Sequence, residues 1–99
     1  MELRGAQRKY LRGLANLMQP LVYIGKNGLS ASVIAAIDQG MDDHELVKIK
    51  FLEFKNEKKA LVSEIEDKPG GNCVGMIGHV AILYRQQRDP GRRVIKLPG

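Results

Sequence analysis

The chain of 99 residues contains one cysteine, two histidines and no tryptophan. The single cysteine, Cys73, allows no internal disulfide, which is typical of a reducing compartment. The spacing of Cys73, His44 and His79 matches neither a metal site nor a nucleophile with its base. The composition therefore predicts a protein that is not an enzyme and that has no catalytic residue, metal ligand or cofactor.

Long hydrophobic runs are also absent. No stretch approaches the roughly 18 apolar residues of a membrane span, and the N-terminus lacks the apolar segment of a signal peptide. With 43% apolar and 27% charged residues, the chain is typical of a globular protein, and its length suits one domain. We therefore expect a cytoplasmic monomer with neither a membrane partner nor a small-molecule substrate.

The net charge of +5 is unevenly distributed. Residues 1–30 and residues 84–99 each carry five cationic side chains against one acid, whereas residues 31–83 carry six lysines against nine acids. Such segregation favours a polyanionic partner over a role in solubility alone. The alternative is a pair of solvated basic ends that bind nothing in particular.

Residues 25–28, which we call the glycine loop, have the sequence Gly-Lys-Asn-Gly. They follow a β-prone run, residues 21–24, and precede a helical pattern that Ser30 or Ser32 can cap and that ends near Gly40. Glycines allow positive φ and a close approach to another backbone, and Lys26 and the helix N-terminus both attract phosphate. The loop resembles the one with which KH-type domains clamp a nucleic-acid backbone.

The apolar positions near the N-terminus have helical spacing and predict a first helix that ends before Pro20. Arg4, Arg8 and Arg12 repeat every four residues on another face of this helix, with Lys9 nearby. Like charges at this spacing destabilise a helix by about 0.2–0.5 kcal/mol per pair, so the stripe suggests a phosphate-facing surface. The alternative is a solvated face whose arginine stems cover apolar surface.

Residues 45–53 alternate, with Val47, Ile49 and Phe51 facing one way and Lys48 and Lys50 the other. This pattern predicts a half-exposed strand with a lysine-bearing outer face. Because a helix separates it from the preceding strand, the two strands should be parallel.

Asn56 should cap a third helix, and residues 73–77 and 79–84 predict two closing strands. Tyr23 is expected in the core, Tyr84 is undecided, and residues 94–97 should form a short edge strand or remain mobile. The predicted fold is a two-layer α/β domain: an N-terminal helix, then β-α-β-α-β-β, with a mixed four-stranded sheet packed against helices.

Six blocks of the sequence resemble the CRM domain family in its stand-alone bacterial YhbY form. The similarity extends over essentially the whole chain, although the third helix and residues 72–75 depart from the family pattern. The blocks are Leu11-Arg12-Gly13-Leu14-Ala15 with Pro20, Ile24-Gly25-Lys26-Asn27-Gly28-Leu29, His44 to Lys50, Ile77-Gly78-His79, Leu83-Tyr84-Arg85 and Ile95-Lys96-Leu97-Pro98.

The resemblance implies a single CRM (YhbY-like) RNA-binding domain over residues 1–97, with a fold similar to the C-terminal domain of translation initiation factor 3. Bacterial members of the family associate with precursor particles of the large ribosomal subunit, which implies ribosomal RNA and pre-ribosomal (pre-50S) particles as partners and a role in ribosome biogenesis. The predicted RNA-binding residues are Gly25, Lys26, Asn27 and Gly28 of the loop and Arg4, Arg8, Lys9 and Arg12 of the first helix.

The scarcity of aromatic residues bears on how RNA would be bound. With two phenylalanines and three tyrosines, the chain shows no paired exposed aromatics on its predicted strands. We therefore expect recognition of shape and phosphates in structured RNA rather than stacking on unpaired bases. A protein-binding adaptor that docks through the acidic middle of the chain is the alternative function.

Overall fold

The computed structural model describes all residues from 1 to 99, and its elements follow the predicted order. The α/β fold with three helices and a mixed four-stranded sheet is thereby confirmed. No helix combines the length and the apolar character that a membrane crossing needs. The helices are α1 (Gly5–Ala15), α2 (Ala31–His44) and α3 (Lys58–Ile65), and the strands are β1 (Val22–Ile24), β2 (Leu46–Phe51), β3 (Asn72–Ile77) and β4 (Val80–Tyr84).

The strands lie in the order β1-β2-β4-β3, so β1 and β3 form the two edges of the sheet. The predicted parallel pairing of β1 with β2 is confirmed, and β4 runs antiparallel to both of its neighbours. As a result, the glycine loop, residues 52–54 after β2 and the turn between β3 and β4 all lie at the same end of the sheet. We call this end the loop end and the opposite one the far end.

Helices α2 and α3 pack on one face of the sheet and enclose the larger hydrophobic core. Gly40 lies inside α2 rather than at its end, because α2 continues to His44. Gly40 is buried, and a Cβ on it would collide with the Leu21 side chain and lie 3.3 Å from Val47. The core residues are Val22, Ile24, Ile37, Met41, Val47, Ile49, Phe51, Val62, Ile65, Ala81 and Leu83.

Helix α1 packs on the opposite face of the sheet and encloses a second core with Ile95 and Leu97 of the C-terminal tail. The sheet with α2 and α3 thus forms the two predicted layers, and α1 packs on the other face of the sheet. Tyr84, which the sequence leaves undecided, is fully buried here. The members of this core are Leu3, Leu11, Ala15, Leu46, Val74, Ile82 and Tyr84.

Lys48 fixes the C-terminal end of α1 over β2. Its Nζ donates hydrogen bonds to the carbonyl oxygens of Ala15 at 3.0 Å and Met18 at 3.1 Å. The Ala15 carbonyl also accepts a hydrogen bond from the Met18 amide at 3.0 Å, and the ammonium group interacts favourably with the negative end of the helix dipole. The prediction of an outer face bearing two lysines is therefore corrected, because α1 covers Lys48 and only Lys50 is exposed.

Glu45, between α2 and β2, anchors the C-terminal tail. Its side chain is buried and its backbone has a φ of 66°. One carboxylate oxygen accepts a hydrogen bond from the Gln87 amide at 2.7 Å, and the other accepts from the amides of Val94 and Ile95 at 2.8 Å each. Residues 94–97 form no edge strand, which was one of the two predictions for them. The amides of Val94 and Ile95 bond to Glu45 instead of to a neighbouring strand.

The start of the third helix also differs from the prediction. Asn56 lies in a short 3₁₀ turn, Lys55–Glu57, and α3 itself begins at Lys58 without a side-chain cap. A 3₁₀ turn and α3 follow each other directly here, and an asparagine in the sequence does not show at which residue the α-helix itself begins.

We expect Glu45→Gln to lower the free energy of unfolding by about 2–3 kcal/mol, because the new amide group cannot accept from every one of the three backbone N–H donors. Urea denaturation measures this loss. Amide hydrogen exchange should show faster exchange at Val94 and Ile95 in the same variant.

The matched control is Glu64→Gln, which changes an exposed glutamate on α3. It should alter the stability by less than about 0.5 kcal/mol. Equal stability of the two variants would contradict the anchoring role of Glu45.

Candidate nucleic-acid interface

The glycine loop is a tight turn that leaves two polar side chains free at its tip. The Gly28 amide donates a hydrogen bond to the Gly25 carbonyl at 3.0 Å, which closes the turn. Gly28 has a φ of 59°, in the left-handed region that favours glycine. Lys26 and Asn27 are exposed between the two glycines. The predicted loop residues are therefore together and accessible.

The Phe54 ring packs against the glycine loop at Gly28. A Cβ on Gly28 would lie 3.4 Å from the Phe54 ring, and Phe54 itself has a positive φ of 56°. The Ile24 carbonyl accepts hydrogen bonds from the amides of Leu52 at 2.9 Å and Glu53 at 3.1 Å, which tie the segment after β2 to the start of the loop. The glycine loop is thus held against an aromatic ring that remains 42% exposed.

Helix α2 begins at Ala31, soon after the loop. Ser30 is its N-cap, and the Ser30 hydroxyl accepts a hydrogen bond from the Val33 amide at 3.3 Å. Of the two serines that the sequence offers as caps, the structure uses Ser30. The cap satisfies one N–H group of the first turn, and the positive end of the helix dipole adds to the charge of Lys26 near the loop.

The turn between β3 and β4 brings a further basic pair to the loop end. The Lys58 Nζ donates to the Gly78 carbonyl at 2.6 Å and lies 3.2 Å from the His79 Nδ1. Partial desolvation lowers the pKa of His79 below its ordinary value, and repulsion by the ammonium groups of Lys58 and Lys55 lowers the pKa further. The lowered pKa favours the neutral form of His79, so the positive charge here belongs mainly to the lysines.

The two salt bridges of the chain lie away from the loop end. Arg85 binds Asp38 at 2.7 Å, and Arg92 lies 3.5 Å from Asp42. A hydrogen bond from Gln87 and the charge of Arg92 lower the pKa of the Asp42 carboxyl. These contacts explain Asp38 and Asp42, two of the three acidic residues late in α2 for which the sequence suggests no role; the third, Asp43, accepts a hydrogen bond from Gln39 at 2.8 Å. The acids pair with the C-terminal arginines, and the lysines of the loop end have no acidic partner.

Two of the predicted basic residues on α1 bind the protein's own backbone. Arg8 donates to the Cys73 carbonyl at 2.8 Å, and Arg12 donates to the Val74 carbonyl at 2.9 Å. Both acceptors belong to β3, an edge strand whose outer carbonyls have no strand partner. These arginines therefore dock α1 on the sheet, and their contact with RNA stays a prediction.

The other two predicted basic residues lie on the surface of α1. Arg4 is exposed and donates through Nη2 to the carbonyl of the terminal Gly99. Lys9 is exposed and forms no ion pair. Lys9 is thus the residue of this group whose cationic head is most accessible to a partner.

The loop and the arginines of α1 occupy opposite edges of the sheet. The loop follows β1, whereas Arg8 and Arg12 bind β3, three strand spacings or about 14 Å away. The predicted site residues thus form two groups rather than one continuous surface. The sheet itself lies between the two groups.

Tyr23 is one functional candidate that the sequence misassigns. It is 50% exposed rather than buried, because it points to the face of the sheet opposite the α2 core, where α1 does not reach β1. A strand of three residues is too short for alternation to reveal the buried face. Phe54 and Lys58 carry no sequence signal, because only the fold brings them to the loop end.

Comparison with known proteins places these features in a family. A Haemophilus influenzae protein named "RNA-binding protein" is 36% identical over 84 residues, which cover 84% of this chain and 85% of the relative. The Bacillus subtilis protein YqeI, named a probable RNA-binding protein, is 30% identical over 97 residues, or 97% of this chain and 99% of the relative.

A solved structure has the same fold. The solution structure of the hypothetical protein SAV1595 from Staphylococcus aureus superposes with a TM-score of 0.81 at 32% identity, and covers 98% of this chain and 100% of that one. The model of the CRS1 / YhbY (CRM) domain matches residues 3–85, a span that includes the glycine loop, Lys58 and His79. The chain therefore belongs to the CRS1 / YhbY (CRM) domain family.

Proposed function

We propose that this chain is a non-catalytic RNA-binding protein and that its glycine loop holds phosphates of the RNA backbone. The observation that carries the proposal is the exposed loop with Lys26 at its tip, at an end of the sheet where lysines have no acidic partner. The relatives named as RNA-binding proteins support the same ligand.

The mechanism is electrostatic and geometric. Gly25, where an added Cβ would meet no other atom within 4 Å, lets a phosphate approach the loop backbone, Gly28 supplies the positive φ of the turn, and Lys26 supplies a full positive charge. Lys9 and the remaining donors of Arg8 and Arg12 form the second basic group, along α1. Contacts of this kind fix the position of the RNA and carry no base sequence information by themselves.

The finer proposal is that the RNA is ribosomal and that the protein acts in the cytoplasm during assembly of the large ribosomal subunit. This step rests on the YhbY-type resemblance of the six sequence blocks, including the loop. The adaptor alternative has less support, because Asp38 and Asp42 of the acidic middle bind the chain's own arginines.

We expect Lys26→Ala to weaken binding to a structured ribosomal RNA fragment. The slope of log K against log salt should fall by about 0.7–0.9, the loss of one phosphate contact. Fluorescence anisotropy across a salt series measures both quantities. Circular dichroism should show an unchanged fold, because Lys26 makes no contact within the chain that the substitution would remove.

Lys68→Ala is the matched control, since Lys68 is an exposed lysine in the turn after α3, away from the loop. It removes the same charge and should leave the slope unchanged. If the two substitutions weakened RNA binding equally, Lys26 would act only through the net charge of the protein, and the loop would not be a specific phosphate site. Salt-insensitive binding to a ribosomal protein without any RNA affinity would favour the adaptor.

Purified ribosomal particles test the finer proposal. The protein should co-sediment with precursors of the large subunit more than with mature large or small subunits, and Lys26→Ala should reduce this association. Equal binding to all particles would retain RNA binding and contradict the role in assembly.

The pH dependence of binding follows from His79. Its pKa is lowered in the free protein, and phosphate bound at the loop end should raise that pKa toward or above its ordinary value. Proton uptake on binding then makes affinity rise as the pH falls through about 6.5. An NMR titration of the His79 ring with and without RNA measures the shift. If RNA left the pKa of His79 unchanged, the bound phosphates would not lie at the loop end.

A further inference from the structure

A row of four side chains crosses the sheet beside α1. Tyr23 on β1 pairs with Lys50 on β2, Lys50 pairs with Val80 on β4, and Val80 pairs with Ile77 on β3. Directly paired residues share a face of the sheet. All four side chains therefore lie on the face that α1 packs against, in the register nearest the loop end. We call these four residues the open row.

Helix α1 leaves the open row uncovered. The end of α1 is fixed over Lys48, which lies two residues before Lys50 on β2 and therefore nearer the far end. The Arg12 side chain covers Gly75 on β3. In the open row, Tyr23 is 50% exposed, Ile77 is 60% exposed and Lys50 is also exposed. Single exposed apolar residues are ordinary, but a contiguous row on a sheet indicates an interaction surface.

The position of the open row links it to the glycine loop. Tyr23 lies two residues before Gly25, so the row begins where the loop begins. It spans three strand spacings, about 14 Å, and ends at β3, the strand that Arg8 and Arg12 bind. The row thus connects the two groups of basic residues that the fold separates.

The chemistry of the open row fits nucleic acid. An exposed tyrosine ring can stack on any base, and a neighbouring lysine can contact the adjoining phosphate. Such stacking departs from the expectation from the sequence, which placed Tyr23 in the core and predicted recognition of shape and phosphates alone. Lys50 has no ion-pair partner, and no acidic residue belongs to the row. Bases are accessible to a stacking ring only where they are unpaired, which selects a single-stranded segment over a duplex.

We propose that the open row binds an unpaired segment of the RNA, with a base stacked on Tyr23 and a phosphate on Lys50. The proposal rests on the proposed function, because the glycine loop holds the RNA backbone and the open row receives the nucleotides next to it. The preferred RNA is then a hairpin with an unpaired flank rather than a fully paired helix.

Two RNAs and four variants test this. One RNA is a fully paired hairpin, and the other is the same hairpin with a short unpaired flank. The flank should strengthen binding by the wild-type protein, and Tyr23→Ala should remove that gain, which stacking energies place at roughly 5- to 150-fold. Tyr23→Phe keeps the ring and should keep the gain.

Tyr10→Ala is the matched aromatic control, since Tyr10 is 41% exposed on α1 and lies outside the open row. It should leave the gain intact. Lys26→Ala should weaken binding to both RNAs, because it acts on the backbone contact that they share. Circular dichroism should show that every variant remains folded.

The outcomes separate this proposal from the previous one. If Lys26→Ala weakens both RNAs and Tyr23→Ala changes neither, the open row is excluded and the loop remains. If the flank strengthens binding and Tyr23→Ala removes that gain while Lys26→Ala has no effect, the open row stands and the loop is excluded. If no RNA binds and a ribosomal protein binds the wild type but not Tyr23→Ala, the row is a protein-docking surface and this proposal is overturned.

Discussion

The docking of α1 determines which part of the sheet is open to a partner. Lys48 holds the end of the helix over β2, and Arg8 and Arg12 hold its side over β3. Each bond joins a cationic group to backbone carbonyls, at the C-terminal end of α1 or on the edge strand β3. Because these bonds lie toward the far end of the sheet, α1 covers Lys48 and Gly75 and leaves Tyr23, Lys50 and Ile77 of the open row exposed.

A second constraint divides the charges of the chain between the two ends of the sheet. The carboxylates of Asp38 and Asp42 pair with Arg85 and Arg92, and buried Glu45 accepts three backbone hydrogen bonds. These three acids thereby find their partners within the fold. The lysines near the glycine loop form no salt bridge, although the exposed Glu53 and Glu57 lie at the same end, so their ammonium groups stay available to a polyanion.

Local patterns in the sequence predicted the elements of this fold well. The alternation of Val47, Ile49 and Phe51 and the helix between the first two strands sufficed for β2 and its parallel pairing with β1. The glycine spacing and Lys26 were sufficient to predict the loop, because its turn depends on residues that are adjacent in the chain.

Features that depend on packing between distant segments could not be predicted. Whether Lys48 is solvated or caps a helix depends on where α1 ends above β2, and periodicity carries no such information. The exposure of Tyr23 depends on how far α1 extends across the sheet. Arg8 and Arg12 have the spacing of a phosphate-binding stripe, yet the same spacing serves to dock a helix on an edge strand.

The central claim is that RNA meets this protein at the loop end of the sheet. The most direct measurement is a titration of the isotope-labelled protein with a ribosomal RNA hairpin that has an unpaired flank, followed through the backbone amide resonances. We expect the largest shifts in residues 23–28, 50–54 and 77–79. Shifts confined to the end of α2 and the C-terminal arginines, with the glycine loop unaffected, would contradict the claim.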